Sequence, residues 1–334
     1  MRIAAALVAL TFAALPAQAL AWGATGHRIV ATLGMEALPP EVPAFLRHEF
    51  TTVELAEVAR EPDRSKSAGR THDSDRDPAH FIDVDDAGLV MGGPALNALP
   101  PTRAEYETAL RAAGSDSWQA GYLYYSLIDG WQQLAKDFAY WRALTAAERL
   151  ATDPQKKAWF VNDRRLREAL LIRDLGAWAH YVGDASQPLH VTVHFNGWGP
   201  YPNPNGYSTG RIHAPVEGAF VHDNIGIEAV RHRLPAARDC GCPIEARPAE
   251  YLAQTYGKVG QLYELEKAGA FTNGDPRGRE FSEAQLASAA AELRDLTVAA
   301  WRASADLTVG WPETRVSDIE AGKVDPYKLL YGID

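Results

Sequence analysis

The sequence predicts an all-α, multi-helix single domain with long irregular loops, and three observations carry that expectation. Trp118, Tyr122, Tyr125, Trp131, Leu134, Phe138 and Trp141 recur three, four or a near multiple of those spacings apart, the period of a helix or helix pair with one apolar face. Leu286, Ala289, Leu293, Leu296, Ala300, Ala303 and Leu307 repeat that pattern towards the C-terminus. No alternating strand pattern competes with either run over a comparable length. Both runs read as core packing.

The first segment has the make-up of a secretory leader. Arg2 is followed by an uncharged, alanine- and leucine-rich stretch and then by Pro16 and small residues. Cleavage after Ala21 gives a signal peptide over 1–21 and a mature domain over 22–334 with Trp22 as its new amino terminus; Ala17 and Ala19 also satisfy the small-x-small rule. A periplasmic or secreted protein is expected, and nothing beyond the leader is long and apolar enough to cross a bilayer. The mature chain is long enough to bury a large core, and a monomer is expected.

Composition narrows the partners. The chain has 43 carboxylates against 33 Lys and Arg, which excludes a protein that holds nucleic acid through a broad basic surface. It leaves room for an enzyme whose positive charge comes from bound metal ions, often the largest charges in their site. The only cysteines, Cys240 and Cys242, are separated by one residue, so a bridge between them would close a very short loop, and no function is assigned to them.

Two regions depart from regular helix. Arg70 to Pro101 is rich in Asp, Gly and Pro, and the segment 196–210 is a Gly/Pro/Asn loop carrying Trp198, Tyr201 and Tyr207. These aromatics either stack on a ligand or pin the loop to the body. Further on, "SEAQ" over 282–285 suits a capping box at the start of the last long helix.

Ten histidines are unevenly spread, and several lie beside carboxylates. In "HYVGDASQPLH", His180 and Asp184 are four apart on a helix and point to one side, with Leu171, Leu175, Trp178 and Val182 on a separate stripe. Gly176, Ala177 and Gly183 leave space beside His180, and Pro188 disfavours continuation so that a turn presents His190. His213 and Glu217 form a second pair four apart, and Asp63 and His80 fall in a third cluster. Each pair alone is a weak signal. Together, and with His27 near the mature amino terminus, they point to metal; imidazole and carboxylate without thiolate favour zinc, with manganese behind it.

"WGATGH", "PDRSK", "AHFID", "HYVGDASQPLH" and the later His-x-x-x-acid pair stand in the order seen in the zinc-dependent single-strand nucleases, which also act as 3′-nucleotidases. The chain resembles that family from Trp22 to about Glu217. The resemblance implies a mainly helical fold around a cleft with three zinc ions, and hydrolysis of single-stranded DNA or RNA to 5′-nucleotides. Carried over, Asp63, His80, His180 and Asp184 hold one ion. Trp22, through its terminal amine and carbonyl, holds a second with His27 and a bridging Asp184. His190, His213 and Glu217 hold the third. The resemblance further implies Asp83 and Phe81 at the base, Lys66 near base or phosphate, and Asp85 or Asp86 orienting the attacking water. The amine assignment has physical sense: an α-amino group of pKa about 8 yields its proton to a metal near neutrality.

The chain departs from the family at three places. Glu217 stands where the nucleases usually have aspartate, as in the related bacterial zinc-dependent phospholipases C; "REPD" replaces a Trp-containing sequence; and the paired cysteines of the fungal proteins are absent. A phospholipid head group is therefore the alternative substrate, and a non-catalytic periplasmic zinc-binding protein a third reading. Arg60, Arg64, Lys66, Arg70 and Arg76 add positive charge near the site, which suits a polyanion or a solvated surface equally.

Overall fold

A computed structural model of the chain describes residues 22–332. The leader assigned to 1–21 lies outside them. The described chain is mostly helical, with one antiparallel ribbon of two short strands, Thr308–Val309 and Thr314–Arg315. The principal helices are α1 (Gly23–Glu36), α2 (Glu49–Val58), α3 (Arg103–Ala112), α4 (Leu123–Leu150), α5 (Pro154–Asp184), α6 (Ala246–Tyr256), α7 (Val259–Lys267) and α8 (Pro276–Ala303).

The termini of these helices follow from local chemistry. Asp153 accepts hydrogen bonds from the amides of Gln155 and Lys156, and Pro154 occupies the first helical position, where its missing N–H costs nothing. The short link between α4 and α5 folds the pair into an antiparallel hairpin, the most extensive helix contact in the fold. With 31 residues, α5 runs for about 45 Å. The last helix starts earlier than its sequence suggests. Asp275 caps it by accepting from the Arg277 amide, and Ser282 is buried six residues inside, so "SEAQ" is helix interior and not a capping box.

The core is one contiguous cluster. Leu286, Ala289, Leu293, Leu296 and Ala300 of α8 meet Ile29, Val30 and Leu33 of α1, while Leu127, Leu134 and Phe138 of α4 meet Leu171, Leu175, Trp178 and Val182 of α5. The two apolar runs of the sequence thus pack largely as expected; Leu307 lies beyond the end of α8, and Trp118 departs furthest. Trp118 is half-exposed on a separate short helix, Ser117–Ala120, because Gly121 breaks the path before α4 begins. The segment 70–101 also differs from expectation: it contains a helical stretch, Arg70–Arg76, and two 3-10 turns, Asp77–His80 and Leu96–Ala98. No described helix is long and apolar enough to cross a membrane. Cys240 and Cys242 are bridged to each other.

Candidate metal centre

Elements distant in sequence deliver their polar side chains to one place. His180 and Asp184 share a face near the end of α5, His27 comes from α1, and Asp63 from the short helix Glu61–Arg64 between α2 and the loop that follows. His80 ends its 3-10 turn and His190 ends another, Pro188–His190, where the chain turns away after α5. His213 lies directly before the π-helical turn Pro215–Ala219 that contains Glu217. Such turns interrupt a helix and recur at functional sites.

Three groups converge, each with its ligand atoms within 4.8 Å of one another: His27, His180 and Asp184; Asp63, His80 and His180; His190, His213 and Glu217. Asp184 faces two ways, with Oδ1 at 3.5 Å from His27 Nε2 and Oδ2 at 3.1 Å from His80 Nδ1. His180 Nε2 sits 3.0 Å from His80 Nδ1, 3.4 Å from Asp184 Oδ2 and 3.7 Å from Asp63 Oδ1. In the third group, His213 Nε2 is 2.8 Å from Glu217 Oε2 and 3.1 Å from His190 Nε2.

The backbone carbonyls around the cluster set the histidine tautomers. His180 Nδ1 donates to the Ala59 carbonyl at 2.8 Å, and His190 Nδ1 donates to the His80 carbonyl at 2.7 Å. A carbonyl only accepts, so each Nδ1 carries a proton and Nε2 is the ring atom turned towards the site, a lone pair whenever the ring holds that one proton. A single proton on His80 Nδ1 can serve only one of the acceptors around it. Asp184 Oδ1, buried in the same space, accepts no hydrogen bond. Converging lone pairs with too few protons suit cations, and the absence of thiolate suits a borderline ion such as zinc. The residues present therefore fit metal ions.

Burial sharpens the point. Removal from water pushes the imidazoles of His80 and His180 well below their ordinary pKa and that of His213 down to about 4, which favours the neutral ring, the form that can bind a metal. The same burial pushes the Asp184 carboxyl well above its ordinary value and Glu217 up to about 7. Negative charge here is costly unless positive charge accompanies it.

Trp22 is fully buried, and its indole Nε1 donates to the Gly183 carbonyl and lies 2.9 Å from Ser186 Oγ. The ring thereby ties the start of α1 to the end of α5. Its bond to Ala21 lies at the boundary of the described residues. Gly183 leaves room for His27: a Cβ at Gly183 would lie 3.1 Å from His27 Nδ1, and the same ring stacks on His180 at 3.8 Å between centroids.

A cleft of about 480 Å³ opens over the site, lined in part by Lys66, His80, Phe81, Asp83, His190 and His213. Lys66 Nζ is 2.6 Å from Asp63 Oδ1, so the ammonium stands beside a candidate ligand as well as in the cleft. Asp83 is buried, its carboxyl is pushed well above its ordinary pKa by desolvation, and its Oδ1 has no hydrogen-bond partner. Asp85 and Asp86 do not line this cleft. Asp85 accepts from the amides of Ala87, Leu89 and Gly92 and so ties its own loop together, whereas Asp86 Oδ1 meets His194 Nε2 at 2.9 Å. Neither carboxylate is aimed at the converging histidines.

Several features were not legible from sequence spacing. Trp118, Phe195, Asn196 and Arg211 line the cleft, Arg211 standing two residues before His213. The loop aromatics pin their segment to the body: Trp198 stacks on His194 at 3.6 Å, and the Tyr207 hydroxyl bonds Glu264. Of the basic residues near Asp63, Arg60 is paired with Glu57, Arg64 with Glu61 and Lys66 with Asp63 itself; Lys66 and Arg211 are the Lys and Arg side chains that line the cleft. No protein-family model matches the chain, and no curated protein matches it. The chemical reading of the site rests on its own side chains.

Proposed function

We propose that the protein is a zinc-dependent phosphodiesterase that cleaves single-stranded DNA or RNA to 5′-nucleotides and acts on 3′-nucleotides as well. The observation that carries this is the set of converging lone pairs on His180 and His190, each held by a carbonyl behind it, at the base of a cleft that also presents Lys66 and Arg211. Asp63, His80, His180 and Asp184 would hold one ion, His27, Asp184 and the amine and carbonyl of a mature Trp22 a second, and His190, His213 and Glu217 a third. Bound there, the ions would polarise a phosphoryl oxygen and activate water near neutral pH.

The chain's own groups supply the rest. Lys66 and Arg211 bring positive charge to a phosphodiester. Phe81 offers a half-buried aromatic wall, and Asp83 brings a buried carboxyl to the same wall as a hydrogen-bonding group for a base. The site needs no nucleophilic side chain. Export through cleavage of the leader would create the Trp22 amine, so maturation and metal binding would be coupled.

Glu217, standing where the nucleases usually have aspartate, favours one second reading, a phospholipase C that takes a phospholipid head group. Zinc-loaded mature protein incubated with single-stranded DNA, RNA, 3′-nucleotides and lecithin decides between them. Release of 5′-nucleotides is expected. Release of phosphocholine with intact nucleic acid replaces the reading by phospholipase, and bound zinc with no hydrolysis leaves a zinc-binding protein.

A further inference from the structure

Among the described residues, Trp118 and Phe195 are the two large hydrophobic side chains that are both well exposed and part of the cleft lining, at 53% and 46% exposure. Neither is a random surface aromatic, and Trp118 has a rigid mount. Asp116 caps its short helix by accepting from the Gln119 amide at 3.0 Å, Glu107 accepts from the Ser117 amide, and the Gly121 amide closes the turn on the Ser117 carbonyl. The turn is then stitched to the segment that carries Phe81 and Asp83. Asp83 N donates to the Ala120 carbonyl at 2.8 Å, Leu123 N donates to the Phe81 carbonyl at 2.9 Å, and the Tyr106 hydroxyl holds the Gly121 carbonyl at 2.7 Å. Gly121 has φ +70°, and a Cβ there would lie 2.1 Å from the Phe81 carbonyl oxygen, so only glycine lets the two segments lie this close.

The backbone that carries Trp118 is thus fixed to the segment that carries Phe81, and the exposed indole forms part of the cleft wall, where it can meet whatever enters. We infer that Trp118 is a stacking platform for a second nucleobase of a single strand, outside the position served by Phe81 and Asp83. This inference rests on the phosphodiesterase reading above. A base is favoured over an acyl chain by the company Trp118 keeps: Lys66, Arg211, Asn196 and Gln119 share the wall, with the buried carboxyl of Asp83, and these suit a polyanion with hydrogen-bonding bases rather than hydrocarbon. Stacking is indifferent to base identity, so the platform adds affinity for longer strands without sequence preference.

The test compares zinc-loaded wild type with W118A, W118F and W118L. Two readouts are taken: the Kd for a hydrolysis-resistant phosphorothioate pentanucleotide, and the turnover of a 3′-mononucleotide. Trp118 is exposed, so melting temperatures of all four proteins should agree and show that the variants fold. The account expects W118A and W118L to weaken pentanucleotide binding about tenfold, W118F to stay within about threefold of wild type, and mononucleotide turnover to remain unchanged in all. Unchanged pentanucleotide binding in W118A overturns the inference, as does recovery by leucine, which marks a hydrocarbon site, or an equal loss on the mononucleotide, which marks a structural role. Failure of the underlying reading is distinguishable, because wild type itself would then hydrolyse neither mononucleotide nor unmodified oligonucleotide.

Discussion

His180 Nε2 and His80 Nδ1 face each other at 3.0 Å in a space closed to water, and His180 has spent its only ring proton on the Ala59 carbonyl. A proton on His80 Nδ1 can satisfy the His180 Nε2 lone pair or Asp184 Oδ2 at 3.1 Å but not both, so acceptors outnumber protons here. The same relationship recurs between His190 and His213 at 3.1 Å, again with one ring proton committed to a backbone carbonyl. The predictions below follow from that pairing and from the scaffold that enforces it.

Gly183 sets the position of His27. Gly183→Ala places a methyl 3.1 Å from His27 Nδ1, closer than ordinary van der Waals contact, on a ring already stacked on His180. Overpacking of this kind costs about 1–3 kcal/mol. The expected result is loss of one metal equivalent and a lower melting temperature; a variant with full metal content would show that His27 is not held by this contact.

Asp85 is expected to matter for its loop and not for turnover. Asp85→Ala leaves the amides of Ala87, Leu89 and Gly92 without their acceptor, at a cost of about 1 kcal/mol given their access to water. Melting should fall slightly while kcat per folded molecule stays within about twofold. A large loss of kcat at unchanged melting temperature would return this carboxylate to the reaction.

Glu57 joins α1 to the end of α2, close to the Ala59 carbonyl that orients His180. Its carboxylate meets Arg28 Nε at 2.6 Å and an Arg60 guanidinium nitrogen at 2.5 Å, and hydrogen bonding to Arg28 above all holds it down from an ordinary 4.5 to about 2. A carboxyl depressed in the folded state contributes stability that is complete above its unfolded pKa and is lost as pH falls through the folded one. The window here runs from about 4.5 down to about 2, and because the group is half-exposed the contribution is modest and weakens with salt. Melting of Glu57→Gln should therefore fall less steeply than wild type across that window. Parallel curves would remove the pair from the acid stability of the fold.

Trp22 is held by its ring but is proposed to bind through its amine. A protein carrying one extra residue before Trp22 should keep the indole contacts to Gly183 and Ser186 and still contain less metal than protein that starts at Trp22. Equal metal content and activity in the two forms would refute the amine ligand.

Much of this site was legible because helical periodicity is local. His180 and Asp184, like His213 and Glu217, are four apart and share a face whatever the tertiary fold does. The carbonyls of Ala59 and His80 were invisible, since any residue type supplies a carbonyl and only packing brings it to an imidazole. Trp118 fitted the apolar repeat of α4 by spacing alone, but Gly121 interrupts the helical path, and the indole leaves the core for the cleft. The start of α8 was misplaced for a related reason. Ser282 has the chemistry of a cap, yet Asp275 and Pro276 open the helix earlier and carry it through that position.

The central claim is that three groups of converging His, Asp and Glu side chains each hold a divalent ion. Elemental analysis of mature protein purified with zinc, repeated on His190→Ala and paired with melting temperatures before and after chelation, tests it most directly. The account predicts three equivalents of zinc in wild type and about two in the variant, whose fold survives with most activity lost, and a clear fall in melting temperature on chelation because bound metal stabilises the folded state. Less than one equivalent in wild type, together with a melting temperature that chelator does not move, would contradict it.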